Sequence, residues 1–358
     1  MEFVDYHYND TDPTEPKVDR FVVAVVVGVF VSVLSVFGVL GNLCMMYAIL
    51  AYRHMRTAPN VLIFNLAVAD LLYVLVTTPI YVEHELHPSS SLSTPACKIK
   101  NYVAFVAQYA SAFALSALSR ERHSAIVGGM EARGGSSCAS SSRCVVMVLW
   151  SASLLLNVPT LVFAHTKGGV QCSYLPADNV ALAQAYECVH FLGGYLVPLI
   201  IVGVFYVRIA VSLFHSTRSF QNDHVSEAMI QQVRVRKRLA VSVLTIAVFF
   251  AICWFPYFFY YLWINFSPQQ DLFLDFPTAT DCYRYVGLIM PIVNTCLDPW
   301  LLFVISSRHR ACLVGCLGCW CRSKERNIDQ SMCMTSRTTT GRQRIAGAGT
   351  SFSRLSRV

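Results

Sequence analysis

Residues 59–82 read PNVLIFNLAVADLLYVLVTTPIYV, a stretch in which Asp70 is the one charged side chain. About 20 predominantly apolar residues are enough for a helix to cross the hydrocarbon core of a bilayer. Six more stretches of this kind occur at about 21–50, 100–122, 144–165, 187–212, 237–264 and 284–305. The chain has 358 residues, 55% hydrophobic and only 14% charged, far more apolar material than a soluble core of this length needs. The expected fold is therefore an all-α membrane protein, a seven-transmembrane helix bundle over 21–305. The spans carry two carboxylates well inside them, Asp70 and Asp298. An acid kept in hydrocarbon usually faces a polar interior and works there.

Seven spans put the two ends of the chain on opposite sides. Arg53 and Arg56 follow the first span, Arg133 and Arg143 the third, Arg234 to Arg238 the fifth, and Arg308, Arg310, Arg322, Lys324 and Arg326 the seventh. By the positive-inside rule these segments are cytoplasmic and the tail 1–20, with six acidic residues, is extracellular. That tail lacks the basic start, apolar run and cleavage site of a signal peptide, so the first span directs insertion at the plasma membrane. Asn9-Asp10-Thr11 is a glycosylation acceptor there, whereas Asn265-Phe266-Ser267 lies too close to a span to serve. Cys97 and Cys172 fall on the oxidising face, where a disulfide is stable and would pin the second outer loop to the third helix. Cys188 and Cys282 are expected to stay unpaired. Cys312, Cys316, Cys319 and Cys321 lie in a short amphipathic helix, 306–321, after the last span; Cys319 and Cys321 suit palmitoylation, while Cys312 and Cys316 equally suit a buried face. Residues 215–234 and the tail 322–358, rich in Ser, Thr, Arg and Gly, read as disordered.

Six landmarks appear in order: Gly41-Asn42, Leu66-Ala67-Val68-Ala69-Asp70, Glu121-Arg122-His123, Trp150, Cys253-Trp254-Phe255-Pro256 and Asp298-Pro299. This ordered set resembles the rhodopsin-like G-protein-coupled receptors through all seven spans. Twenty-five positions separate Cys97 from Arg122, about 37 Å of helix, which places the arginine at the opposite membrane face. The resemblance implies that Glu121 holds Arg122 at rest, that Arg122 is released to meet a heterotrimeric G protein, and that Tyr206 then turns inward. It makes Trp254 and Pro256 the pivot of the sixth helix and Pro299 a switch in the seventh. It groups Asp70, Ser111, Asn294 and Asp298 around a sodium ion, with Trp254 as a lid. Oxygen donors suit such a hard cation; the other reading of the cluster is a proton-sharing network. Sodium is the one ion expected, as a negative modulator, and no organic cofactor is.

Ala104, seven residues after Cys97, stands where amine receptors have an aspartate, and Ile292 where opsins have the retinal lysine. Peptide receptors fit better. The runs Ala114–Ser119, Ala125–Val127, His215–Arg218, Arg236–Ala240 and Asn294–Cys296 resemble the bombesin, endothelin and arthropod CCHamide receptor group, which implies coupling through phospholipase C and calcium. Periodicity nominates Asn101, Phe105 and Gln108 on the third helix, and Trp254, Tyr257 or Phe258, and Tyr261 on the sixth, as a ligand wall completed by Tyr195, Arg284 and Leu288. Ser and Thr residues of the tail suit receptor kinases and arrestin, and its arginines suit anionic lipid. No nucleic-acid partner is expected. An intramembrane enzyme lacks a paired nucleophile and base. A cation transporter would leave the arginine motif and the CWFP run unexplained. A weakly coupled or decoy receptor is suggested by Gly128-Gly129 and the Gly/Ser-rich segment after them, because glycine weakens helix formation.

Overall fold

In lipid each backbone donor and acceptor must be satisfied within the segment, so the spans are helical. The structure is a computed structural model that describes residues 20–87, 92–128, 139–167, 171–176, 179–220, 227–266 and 277–318. The first helix is Arg20–Ala51, the second Ala58–Leu86 and the third Thr94–His123, continued by a widened turn at Ser124–Gly128. The fourth comprises Ala139–Leu156 and Val158–Phe163, broken at Asn157. Val180–Phe191 and Val197–Phe220, joined by a widened turn at Leu192–Leu196, make the fifth. Glu227–Phe266 is the sixth, Pro277–Ile305 the seventh, and a short helix Ser307–Gly318 follows within the expected 306–321. Seven of these helices are long and apolar enough to cross a membrane.

Helix ends depart from the apolar limits for local reasons. The third helix starts at Thr94 rather than 100, because Ser93 accepts a hydrogen bond from the Ala96 amide (3.4 Å) and Pro95 suits the first turn. The fifth starts at Val180 rather than 187, capped by Asn179, whose side chain accepts from the Leu182 amide at 3.0 Å. The fourth stops at Phe163, and Ala164 is extended, so residues 164–165 leave the helix. Residues 215–220 and 227–234 are helical, not disordered: the fifth and sixth helices carry their hydrogen-bond ladders past the apolar stretch. The all-α expectation meets one exception. Strands β1 (His165–Lys167) and β2 (Gln171–Ser173) form an antiparallel hairpin between the fourth and fifth helices, pairing Thr166 with Cys172.

The third helix is the hub, packed on the second, fourth, fifth and sixth; the first lies against the second and seventh, and the seventh against the sixth. Glycine lets the first and seventh approach closely. A β-carbon on Gly38 would lie 2.7 Å from the Cα of Cys296. After the seventh helix the short helix folds back beneath the first, burying Cys312 with Ala48 and Met55 against Tyr52. Cys312 thus takes the buried-face option. Cys319 and Cys321 lie outside the described residues, as do Asn9 and the tail serines and threonines.

Candidate functional site

A polar chain runs through the middle of the bundle. The Trp254 indole donates to the side-chain oxygen of Asn294 (3.2 Å), whose amide donates to Asp298 (3.1 Å). The Ser111 hydroxyl donates to Asp70 (3.5 Å), and the second oxygen of Asp70 is buried without a hydrogen-bond donor among the described residues. Asp70 and Asp298 lie close enough to repel. The four residues that the resemblance groups around a cation lie together, from the second, third and seventh helices, with Trp254 against them. Four buried oxygen-bearing side chains, two of them carboxyl groups and one with an orphaned oxygen, fit a hard monovalent cation. Asn42 ties the first helix to this centre by donating to the backbone oxygens of Gly38 (3.0 Å) and Thr295 (3.1 Å), and the Trp150 indole donates to Asn65.

At the end far from the hairpin, Arg122 is buried and lies within electrostatic reach of Tyr206. Glu121, expected to hold Arg122, has Arg120 at 3.4 Å; its side chain is partly exposed, so the neighbour on the open side competes for it. The Tyr206 hydroxyl donates to the backbone oxygen of Ala240 (2.7 Å), and Ile126, Ile209 and Ala240 pack together, closing the third, fifth and sixth helices on one another. Pro256 sits inside the sixth helix and Pro299 inside the seventh. The basic run Arg234 to Arg238 continues the helical backbone, with Lys237 and Arg238 exposed.

At the hairpin end, Cys97 and Cys172 form a disulfide that ties β2 to the first turn of the third helix. Asn101 is drawn to this link, its amide 3.0 Å from the Cys172 sulfur. Below it lies an aromatic wall. Phe105 meets Tyr174 (ring centroids 4.9 Å) and His190 (4.1 Å), Tyr174 meets Tyr261 (5.3 Å), Tyr261 meets Tyr257 (4.7 Å), and Tyr257 meets Trp254 (5.8 Å). Gln108 donates to the Gly194 backbone oxygen (3.3 Å). That contact depends on glycine, since a β-carbon on Gly194 would lie 2.6 Å from the Tyr109 ring. Leu288 is half-buried against the same core.

Two nominated residues have other work. The Tyr195 hydroxyl donates to the Ala251 backbone oxygen (2.8 Å) and its ring lies among Phe191, Phe250 and Phe258, so it joins the fifth helix to the sixth rather than lining the wall. Arg284 sits 3.8 Å from Glu85, which also accepts from the Tyr285 hydroxyl (3.1 Å). Sequence reasoning missed Glu187, His190, Tyr109 and Tyr174. Glu187 is 0% exposed and lies two turns inside the fifth helix, because that helix starts earlier than its apolar stretch. Its place among Tyr109, Tyr174, Tyr186, Tyr257 and Tyr261 was not marked by any motif; the one available signal was an acid beside an apolar run. Cys188 and Cys282 are free thiols, and Asn265 donates back to Tyr261 (2.8 Å) within the helix.

Residues 41–302 match the model of the 7 transmembrane receptor (rhodopsin family), and the chain belongs to that family. It is a multi-pass membrane protein, a receptor rather than an enzyme. Among similar proteins is the neuropeptide CCHamide-1 receptor of Drosophila melanogaster, 32% identical over 342 residues, covering 89% of this chain and 67% of that protein. Another is bombesin receptor subtype-3 of Ovis aries, 27% identical over 283 residues, covering 75% of this chain and 69% of the relative.

Proposed function

We propose that the chain is a plasma-membrane receptor for an extracellular peptide, with its amino terminus outside, that passes agonist binding to a heterotrimeric G protein and through it to phospholipase C and calcium. The observation that carries this reading is the unbroken run of contacts Tyr174, Tyr261, Tyr257, Trp254, Asn294 and Asp298, from the disulfide-linked hairpin to the buried acids. A ligand that displaces Tyr257 or Tyr261 moves the Trp254 indole off Asn294, and Pro256 lets the sixth helix pivot below it. Movement there separates Ala240 from Tyr206 and exposes Arg122. A peptide as ligand is supported by the relatives, whose names are those of a neuropeptide and a bombesin receptor.

A sodium ion held by Asp70, Ser111, Asn294 and Asp298 would stabilise the closed form, supplying the positive charge that the two facing carboxyl groups lack. Phosphorylation of the tail 322–358 by receptor kinases would recruit arrestin, and palmitoyl groups on Cys319 and Cys321 would hold the end of the short helix to lipid.

The test is calcium release in cells expressing the chain with a promiscuous G-protein α subunit, challenged with amidated neuropeptides that include CCHamide-1 and bombesin. A response that is lost in Arg122→Ala at equal surface expression is the expected result. Silence across the library with the receptor at the surface would overturn the peptide-receptor reading and favour a decoy.

A further inference from the structure

Two buried acids among the described residues lie at the hairpin end of the bundle, and they are answered differently. Glu85 faces Arg284 (3.8 Å) and accepts from Tyr285 (3.1 Å). Glu187, 0% exposed, accepts one hydrogen bond, from Tyr174 (2.8 Å), and its other oxygen has no donor among the described residues. No lysine or arginine of the described residues pairs with it. Burial of a carboxylate without a positive partner is expensive, and the residues around it suit a cation. Tyr109, Tyr257 and Tyr261 lie near enough to feel its charge, and His190, one turn on, packs on Phe105, Tyr174 and Phe258. Rings of this kind attract a cation to their faces. A transition-metal ion is a poor occupant: the described residues hold no cluster of three His, Cys, Asp or Glu side chains.

Tyr174 follows β2 directly and bridges that strand to Glu187. Burial and the Glu187 carboxylate both push the Tyr174 phenol above its ordinary range, which keeps it a donor to one carboxylate oxygen. The other oxygen is left for the arriving group.

We propose that Glu187 is the anionic anchor for a cationic group of the agonist, a guanidinium or ammonium seated between the free carboxylate oxygen and the surrounding tyrosines. The inference rests on the receptor reading only for treating this cluster as the agonist site. A basic side chain or a free amino terminus of a peptide supplies such a group, and its neutral counterpart leaves the acid unpaired, so the anchor selects among peptides as well as holding them.

The experiment measures thermal unfolding of the purified full-length receptor with N-acetylarginine amide as the probe and its neutral isostere N-acetylcitrulline amide as the control. The arginine probe is expected to raise the wild-type midpoint in a concentration-dependent way, with apparent affinity at least about tenfold weaker in Glu187→Gln, and the citrulline probe to act on neither. Tyr174→Phe removes the one hydrogen bond that stabilises the Glu187 carboxylate, and is expected to weaken the arginine probe as well. It carries the test if Glu187→Gln does not fold. Equal response to both probes, equal affinity in Glu187→Gln, undiminished affinity in Tyr174→Phe, or no wild-type response would overturn the proposal. Arginine-selective binding in a receptor that no peptide activates would leave the anchor standing and sink the peptide reading; peptide activation without arginine selectivity would do the reverse.

Discussion

Asp70 and Asp298 stand out in the sequence because a carboxyl group in an apolar run is chemically conspicuous. Their partners do not stand out: Ser111 and Asn294 are ordinary polar residues until the third and seventh helices bring them together. If a cation occupies this cluster, it stabilises the folded receptor by mass action, about 1.4 kcal/mol at ten times its Kd. The purified receptor is therefore expected to unfold at a higher temperature in sodium chloride than in choline chloride, and Asp70→Asn to abolish the difference. Equal melting of the wild type in both salts would favour the proton-sharing network. Glu187 shows the opposite case of legibility. It sits at the edge of an apolar stretch, so only the Asn179 cap, which starts the helix two turns earlier, reveals that it lies inside.

At the scale of elements, apolar length marks the spans well and their ends poorly. Hydrocarbon sets where a span must be apolar, while capping and loop geometry set where a helix begins and stops. That is why the fifth and sixth helices extend beyond their apolar stretches and the fourth gives way to a hairpin. Packing of the first helix on the seventh relies on the absence of a side chain at Gly38, whose β-carbon would meet the backbone of Cys296. Overpacking of this kind costs about 1–3 kcal/mol. Gly38→Val is expected to lower the melting temperature and surface expression, with Gly203→Val as a control, because a β-carbon at Gly203 meets nothing within 4 Å. Equal melting of the two variants would show that the first helix yields without cost.

Across the whole molecule the disulfide joins positions 75 residues apart, and a link closing so long a loop is worth about 2–4 kcal/mol. Cys97→Ser with Cys172→Ser is expected to lower the unfolding temperature, and reductant to lower that of the wild type while leaving the double variant unchanged. An unmoved wild type would mean that noncovalent contacts, the Asn101 amide and the Thr94–Thr166 hydroxyl pair among them, suffice to hold the hairpin. By itself the sequence determined the solvent of this protein, the number of its spans and the residues of its family motifs, because a segment in lipid must be apolar and must close its own backbone hydrogen bonds. Only the tertiary structure decided which face of each helix turns inward. In water a polar face marks the outside of a helix, but lipid is as apolar as the core, and the usual periodicity fades. The sixth helix makes the point: Phe255 is 53% exposed toward the bilayer side and Phe258 is 1% exposed against Trp254, two identical side chains separated by less than a turn of helix.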